Sequence, residues 1–303
     1  MVAGRPRLAV TIDVEDWPQS SWDRSLPVGD YCADNVRRLL ALLGEWPDAR
    51  ATFFVLGKFA ERHPDAVREI HAAGHEIACH GYGHEEIFRG DRAAFEADLE
   101  RATGILSDLV GQRPLGYRAP DFSIVGESLW ALDVLAEAGY AYDSSVFPID
   151  KARYGIPTWP VEAGRVRLDN GATIVEFPMT VKEIGGKRRP VSGGGYARLL
   201  PAFLLRRFLC SEAKRRAVPP VFYCHPYEID PGEFRRVPAP IPWKVRLHQG
   251  LGRRGFAGKL RMLLREFDVC DFRSVLKEEP SLQDFDYGPY KLEPGTIKRP
   301  GIF

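Results

Sequence analysis

Apolar runs rich in β-branched and aromatic residues alternate along the chain with stretches whose apolar positions recur every three or four residues, which predicts strands alternating with amphipathic helices. Leu8–Asp13 reads as a first strand, followed from Asp34 by a helix with Val36, Leu39, Leu40 and Leu43 on one face. Ala51–Gly57 is an almost wholly apolar strand, which predicts cover on both faces. Pro64 and Gly74 bracket the next helix, since proline suits a first turn and glycine the left-handed position after the last. His75–Cys79 is a third strand. Phe95, Leu99, Ala102 and Leu106 stripe a helix ended by Gly111, and Leu115–Arg118 is a short strand after it. Leu129, Leu132 and Leu135 mark a helix closed by Gly139, before a strand at Tyr140–Asp143. Two later strands, Thr173–Pro178 and Pro220–His225, flank a helix from about Pro201 to Arg216. Ile149–Asn170 and Gly185–Tyr196 read as long loops, Pro231–Gly252 as irregular, Leu260–Phe267 as helix and Ser281–Phe303 as a surface tail. The alternation as a whole predicts an α/β fold with a parallel sheet.

Composition narrows the class. With 303 residues, 45% hydrophobic and 27% charged, the chain can bury a large core, which excludes disordered, collagen-like and coiled-coil readings. Its 42 basic and 41 acidic residues leave a formal charge of +1, so the molecule as a whole has no field for gripping nucleic acid. Between Lys182 and Arg216 basic residues predominate, an excess that a solvated helix face accounts for. No run approaches the ~20 apolar residues of a transmembrane helix, and Met1–Arg7 lacks the apolar stretch of a signal peptide. The five cysteines are odd in number, scattered and without a CxxC pair, as expected of reduced core thiols. Together these features predict a cytoplasmic protein.

Polar residues that interrupt the apolar strands collect at one kind of position. Asp13, His80, Arg118, Asp143 and His225 each end a separate predicted strand, and in a parallel barrel those ends share a rim. Asp13, Glu15 and Asp16 follow one another at the end of a buried strand, where carboxylates repel unless a cation or proton compensates. His80 and His84 have the i, i+4 spacing that lets two imidazoles face one ion. His71 and His75 have the same spacing, but Gly74 separates them, and with His63 and His248 they read as structural. Arg118 leads a proline-stiffened turn and is placed to hold a carboxylate bidentately. His225 ends an apolar strand. Two histidines and an acid make a metal site with open positions and leave a carboxylate base and a histidine acid to spare, enough to hydrolyse a carbonyl compound.

In these residues the sequence resembles the polysaccharide deacetylases, the NodB-homology group also called carbohydrate esterase family four. Four motifs stand in order between Leu8 and Asp230: TIDVED, HGYGH, GYRAPDFS and FYCHP. The phrases TFFVLG, GHEIACHGYGH, YDSSVFP, GGGY and HPYEID look most like the exopolysaccharide branch associated with PEP-CTERM and exosortase systems. The resemblance implies a distorted (β/α) barrel over residues 1–230, with 231–303 as a C-terminal extension packed on it. It implies a divalent metal, zinc by type, and removal of N-acetyl groups from amino sugars of a polysaccharide or its oligosaccharide precursor. Carried over by position, Asp13 matches the base, His225 the acid, Arg118 the residue that positions the base, and His80 and His84 the metal histidines. The Asp121 backbone N–H lies where the family places an oxyanion donor.

The chain departs from the common pattern of adjacent aspartates, because Asp13 is followed by Val14. Glu15 is the preferred carboxylate ligand, since strand alternation returns it to the side of Asp13, with Asp16 in reserve. No clean counterpart exists for the carboxylate that orients the acid histidine; Asp143 and Glu176 are the candidates. Trp17, Tyr82, Phe122, Tyr196 and Tyr227 lie beside the motifs as candidate sugar-stacking residues, Tyr196 after the glycine run foremost, and Lys187–Arg189 as candidate contacts to an acidic glycan. The expected partner is an N-acetylated glycan, together with membrane-associated machinery of polysaccharide synthesis. Two competing readings are a metal-independent hydrolase of a small cyclic amide, as in allantoinase-like relatives, and a barrel that only binds glycan.

Overall fold

The computed structural model describes residues 4–151, 153–278, 281–293 and 295–296. Its strands in chain order are β1 (Arg7–Val14), β2 (Thr52–Val55), β3 (Glu76–Cys79), β4 (Gly116–Tyr117), β5 (Tyr142–Asp143), β6 (Gly164–Arg167), β7 (Thr173–Glu176), β8 (Val181–Ile184), β9 (Lys187–Pro190), β10 (Val221–Cys224), β11 (Asp268–Cys270) and β12 (Gln283–Asp286). The helices are α1 (Asp30–Leu43), α2 (Gly57–Arg62), α3 (Pro64–Ala72), α4 (Arg92–Val110), α5 (Trp130–Glu137), α6 (Gly194–Leu199), α7 (Ala202–Ala213), α8 (Trp243–Gly250), α9 (Arg253–Glu266) and α10 (Phe272–Lys277).

Ten strands form one sheet in the order β10-β1-β2-β3-β4-β5-β7-β6-β12, with β11 added beside β1. Every pairing is parallel except the β6–β7 hairpin. This is the α/β fold with a parallel sheet that the alternation predicts. Among the described residues the ladder ends at β10 and β12 without closing on itself. The outer edge of β10 is met by irregular chain, where the Tyr223 N–H donates to the Ser192 carbonyl at 2.7 Å.

Register explains what the sheet presents. Val14, Val55, Cys79, Tyr117, Asp143 and Glu176 lie level across β1, β2, β3, β4, β5 and β7, and level residues point to one face. Val14, Val55, Cys79 and Tyr117 pack on that face in the core shared with the helices. The alternate positions Phe54, Ala78, Tyr142 and Phe177 pack in the second core on the other face. Asp13, Glu15, His80 and Arg118 belong to that second face by alternation, at or just past the strand ends.

Four stretches differ from the sequence expectation. The loop at Ile149–Asn170 contains β6, and Gly185–Tyr196 contains β9, which pairs with β8 through a turn at Gly185 and Gly186, both with positive φ (59° and 69°). The irregular stretch Pro231–Gly252 holds α8, and in the tail β12 pairs in parallel with β6 while Tyr287 is buried. The strands were hidden because short strands with charged alternate residues carry little apolar periodicity, and α8 because only Val245 and Gln249 of its residues are buried. No helix among the described residues is long and apolar enough to cross a membrane.

Candidate functional site

The ends of β1, β3, β4 and β10 converge on a cleft of about 430 Å³ lined by Asp13, Glu15, His80, His84, Asp121, Tyr196, His225 and Glu228, among others. A larger groove of about 630 Å³ between α4 and α5 holds none of these groups.

Asp13 is buried at the end of β1. The Arg118 Nη1 donates to its Oδ1 at 2.7 Å and to Thr11 Oγ1 at 2.8 Å, while Nε and Nη2 donate to the carbonyl and hydroxyl of Ser144 at 2.9 and 3.0 Å. Arg118 therefore holds Asp13 through one nitrogen rather than bidentately, because the rest of its fork is anchored to Ser144. Its guanidinium also lies 4.2 Å from the centre of the Phe54 ring.

Glu15, His80 and His84 each bring a ligand atom within 4.8 Å of the others, and all three are buried. His80 Nδ1 lies 2.7 Å from the Arg118 carbonyl, which only accepts; Nδ1 thus carries the proton and Nε2 keeps its lone pair for an ion. Burial pushes His80 down to about 4, outweighing the nearby Asp13 charge. His84 Nε2 approaches Glu15 Oε2 to 2.5 Å. At that separation the two atoms share a proton in a charge-assisted hydrogen bond. Burial lowers His84, yet the charges of Glu15 and Asp121 carry it up to about 9; burial raises Glu15, yet His84 holds it at about 2. Two imidazoles and a carboxylate at this spacing fit a divalent cation with open positions. Asp16 is turned elsewhere: its carboxylate accepts the Gly29 N–H at 2.7 Å and the Tyr31 hydroxyl at 3.0 Å, and burial pushes it up to about 7.

His225 caps the other side of the cleft, its Nε2 3.7 Å from Glu15 Oε1. Its orienting carboxylate is Glu228, which sequence reasoning missed. Pro226 opens a short turn that brings the residue three places on back to His225: Glu228 Oε2 accepts the His225 N–H at 2.9 Å and lies 3.4 Å from Nδ1. Arg198 Nε lies 2.9 Å from the other oxygen. Burial lowers His225, but Glu228 and Glu15 raise it above the ordinary imidazole range. The histidine-to-acid spacing of HPYE was the available signal.

Asp143, read as a rim residue, does not reach the cleft. It lies level with Tyr117 rather than with Arg118, so the pleat turns it to the helix face. There it accepts the Ser145 N–H and hydroxyl at 3.0 and 2.6 Å and shares a buried site with Glu176, whose carboxyl is pushed well above the usual carboxylate range by burial and by Asp143. Neither is placed to orient His225. Asp143 instead fixes the turn after Arg118, because Ser145 Oγ accepts the Ala119 N–H at 2.7 Å. That turn holds Asp121 and Phe122 at φ 55° and 52°, and His84 has φ 63°. These are the only non-glycine residues with positive φ among the described residues, and all three line the cleft.

Asp121 and Tyr196 both line the cleft. The Asp121 carboxylate lies 2.7 Å from Arg153 and 3.8 Å from His84. Tyr196 is delivered by Gly193 and Gly194, where a Cβ would come within 2.0 and 2.6 Å of Tyr223. Phe122, Tyr227 and His248 line the cleft too. Trp17 does not: it is fully buried, its indole donating to Glu233 at 2.7 Å. Tyr82 packs outside under Arg101 and Lys58, and Arg188 is tied to the carbonyls of Pro157 and Trp159.

Comparison with known proteins bears on the whole arrangement. Residues 9–142 match the family described as polysaccharide deacetylase. A chitooligosaccharide deacetylase of Sinorhizobium fredii is 30% identical over 171 residues, 52% of this chain and 75% of that one. The chain belongs to the polysaccharide deacetylase family. Residues 144–277 match a second family, described as a domain of unknown function, DUF3473, so in this deacetylase-family chain Asp13, Glu15, His80, His84 and Arg118 fall in one match and Tyr196, His225 and Glu228 in the other. A peptidoglycan deacetylase-like protein of Gibberella zeae is 29% identical over 199 residues, 57% of each chain. The chain spans about half the length of most of the curated family members it matches. A crystal structure from Mycobacterium smegmatis, assigned as a polysaccharide deacetylase, shares the fold with a TM-score of 0.61 and 23% identity over 99% of this chain and 96% of that one.

Proposed function

We propose that this chain is a metal-dependent hydrolase that removes N-acetyl groups from amino sugars of a polysaccharide or its oligosaccharide precursor. The observation that carries the proposal is the convergence of Glu15, His80 and His84 between Asp13, held by Arg118, and His225, held by Glu228. Glu15, His80 and His84 would hold one divalent ion, zinc by the donor set, which supplies Lewis acidity toward the acyl carbonyl and toward water. Asp13 takes the proton of the attacking water, and Arg118 fixes the carboxylate for that transfer. The Asp121 N–H, in the strained turn after Arg118, is assigned to the developing oxyanion. His225 gives its proton to the departing amine, so that water and amide become acetate and a free amino sugar. Tyr196 and Tyr227 offer ring faces to the sugar.

The names of the relatives, peptidoglycan and chitooligosaccharide deacetylases, support the amino-sugar class. We place the chain in the exopolysaccharide branch associated with PEP-CTERM and exosortase systems on the YDSSVFP and GGGY phrases, with the machinery of polysaccharide synthesis as its partner. The metal-independent cyclic-amide reading is disfavoured by the three converging donors, and the binding-only reading by a base and an acid both facing the cleft. The test is acetate release from a panel of N- and O-acetylated oligosaccharides, with and without chelator. Release from N-acetylated members that stops with chelator and returns with zinc is expected; release unaffected by chelator, or from none, overturns the proposal.

A further inference from the structure

The five most exposed large apolar side chains of the described residues are Trp243 (69%), Phe203 (68%), Leu199 (59%), Leu247 (57%) and Leu251 (52%). They occur on adjoining elements beside the cleft mouth. On α8, Val245 and Gln249 face inward while Trp243 and Leu247 occupy the opposite side, an apolar face left exposed among the described residues. Leu251 follows at the next turn. Gly252 sits so close to Arg198 that a Cβ would lie 2.5 Å from its carbonyl, and Arg198 donates to the Gln249 carbonyl, so the chain at the end of α8 runs against the end of α6 that carries Leu199. Leu199 itself lines the cleft, as do His248 and Gln249. Phe203 opens α7, whose approach is tied to α9 by Lys259 donating to the Leu200 carbonyl at 2.6 Å.

The charge around this face is one-sided although the molecule is nearly neutral. Residues 184–211 and 234–265 contain no aspartate or glutamate but carry six and nine lysines and arginines. Several of those cations serve the fold, as Arg206 with Glu266 and Arg253 with Glu233 do. Lys244, Arg246, Arg254 and Arg207 are exposed and have no carboxylate within ion-pair distance among the described residues. Lys244 and Arg246 flank the apolar face of α8 on its two sides.

We propose that α8 and Leu251, with Leu199 and Phe203, dock on a membrane surface rich in anionic lipid, bringing the cleft mouth to the headgroup layer. Trp, Leu and Phe set on one face and lysine and arginine at its rim are what an interfacial helix presents to such a bilayer. A second copy of the chain is disfavoured as occupant, because a two-fold contact through this face brings the same cationic rims together. The proposal does not depend on the deacetylase activity.

Flotation of the full chain with vesicles tests it. The chain is expected to float with phosphatidylcholine vesicles containing about one third phosphatidylglycerol and to stay behind with phosphatidylcholine alone. Trp243→Glu combined with Leu247→Glu is expected to weaken partitioning at least about tenfold with an unchanged thermal transition. Lys244→Glu with Arg246→Glu, which touches no apolar residue, is expected to weaken it and to flatten its salt dependence. Equal recovery with both vesicle types, or either folded variant floating like the parent, overturns the proposal. So does a dimer, seen by sedimentation velocity and lost in the Trp243→Glu variant, in a chain that binds no vesicle.

Discussion

Asp13 and His225 stand on opposite sides of Glu15, His80 and His84, the proposed ligands, and each is steered by a partner whose removal should be felt in turnover before it is felt in folding. Asp13→Asn keeps the shape and the Arg118 contact but loses the proton acceptor. Turnover is expected to fall at least about a hundredfold while zinc content stays near one per chain; acetate release and metal analysis on the same sample check this. Glu228→Gln keeps a group of similar shape beside His225 but removes its charge, leaving the buried Arg198 without its counterion. A loss of about ten- to a hundredfold in kcat, with KM little changed, is expected. Unchanged kcat would show that Glu228 does not steer the acid. The Asp143–Glu176 pair sits behind this constellation and acts through Ser145 and the backbone after Arg118.

At the scale of elements, the HGYGH turn is shaped from α4. The Asp98 carboxylate accepts the N–H groups of Tyr82 and Gly83 at 2.8 and 3.1 Å, between His80 and His84, the proposed metal histidines. Asp98→Ala leaves both ligands in place but frees the turn between them. Zinc affinity, read by competition with a chromogenic chelator, is expected to drop about ten- to a hundredfold. The start of β3 gives a pH signature away from the site. His75 is buried with Nδ1 accepting the Ala51 N–H at 3.3 Å, and burial lowers it from 6.5 to about 4. Its folded pKa lies below its unfolded one, so its contribution is present above pH 6.5 and lost as pH falls through 4. Denaturation of the parent and of His75→Gln should therefore give a stability gap that narrows between pH 7 and pH 4, by at most about 3 kcal/mol. A gap that widens toward acid would refute the assignment.

At the scale of the molecule, the two halves that match separate families are joined under the first motif. Glu233, from the second half, accepts from Trp17 at 2.7 Å, Asn35 at 2.8 Å and Arg253 at 2.6 Å, and all four side chains are buried. The segment carrying Glu15 and Asp16 is thus braced by residues more than two hundred positions away. Arg253→Ala leaves the Glu233 charge buried without its counterion, and a loss of about 3–5 kcal/mol in urea unfolding is expected. A loss below about 1 kcal/mol would mean that this network does not hold the halves together. β11, from the same second half, adds three residues of parallel ladder to β1.

The α/β alternation and most strands and helices were determined by the sequence itself, because apolar periodicity and the Pro64, Gly74, Gly111 and Gly139 punctuation act over a few residues. Asp13, His80, Arg118 and His225 were legible for the same reason, each a polar residue ending an apolar run, and Glu15 and His84 were legible by their spacing from Asp13 and His80. Tertiary structure alone decided which of the acids meet at the cleft. Glu15 and Asp16 differ by one step of the pleat, Asp143 by one level of register, and Glu228 is brought in by a three-residue turn. It also decided that β6 and β12, each weakly patterned, pair with one another across more than a hundred residues. Such choices depend on which backbone lies beside which, and that is set by packing between distant segments rather than by local propensity.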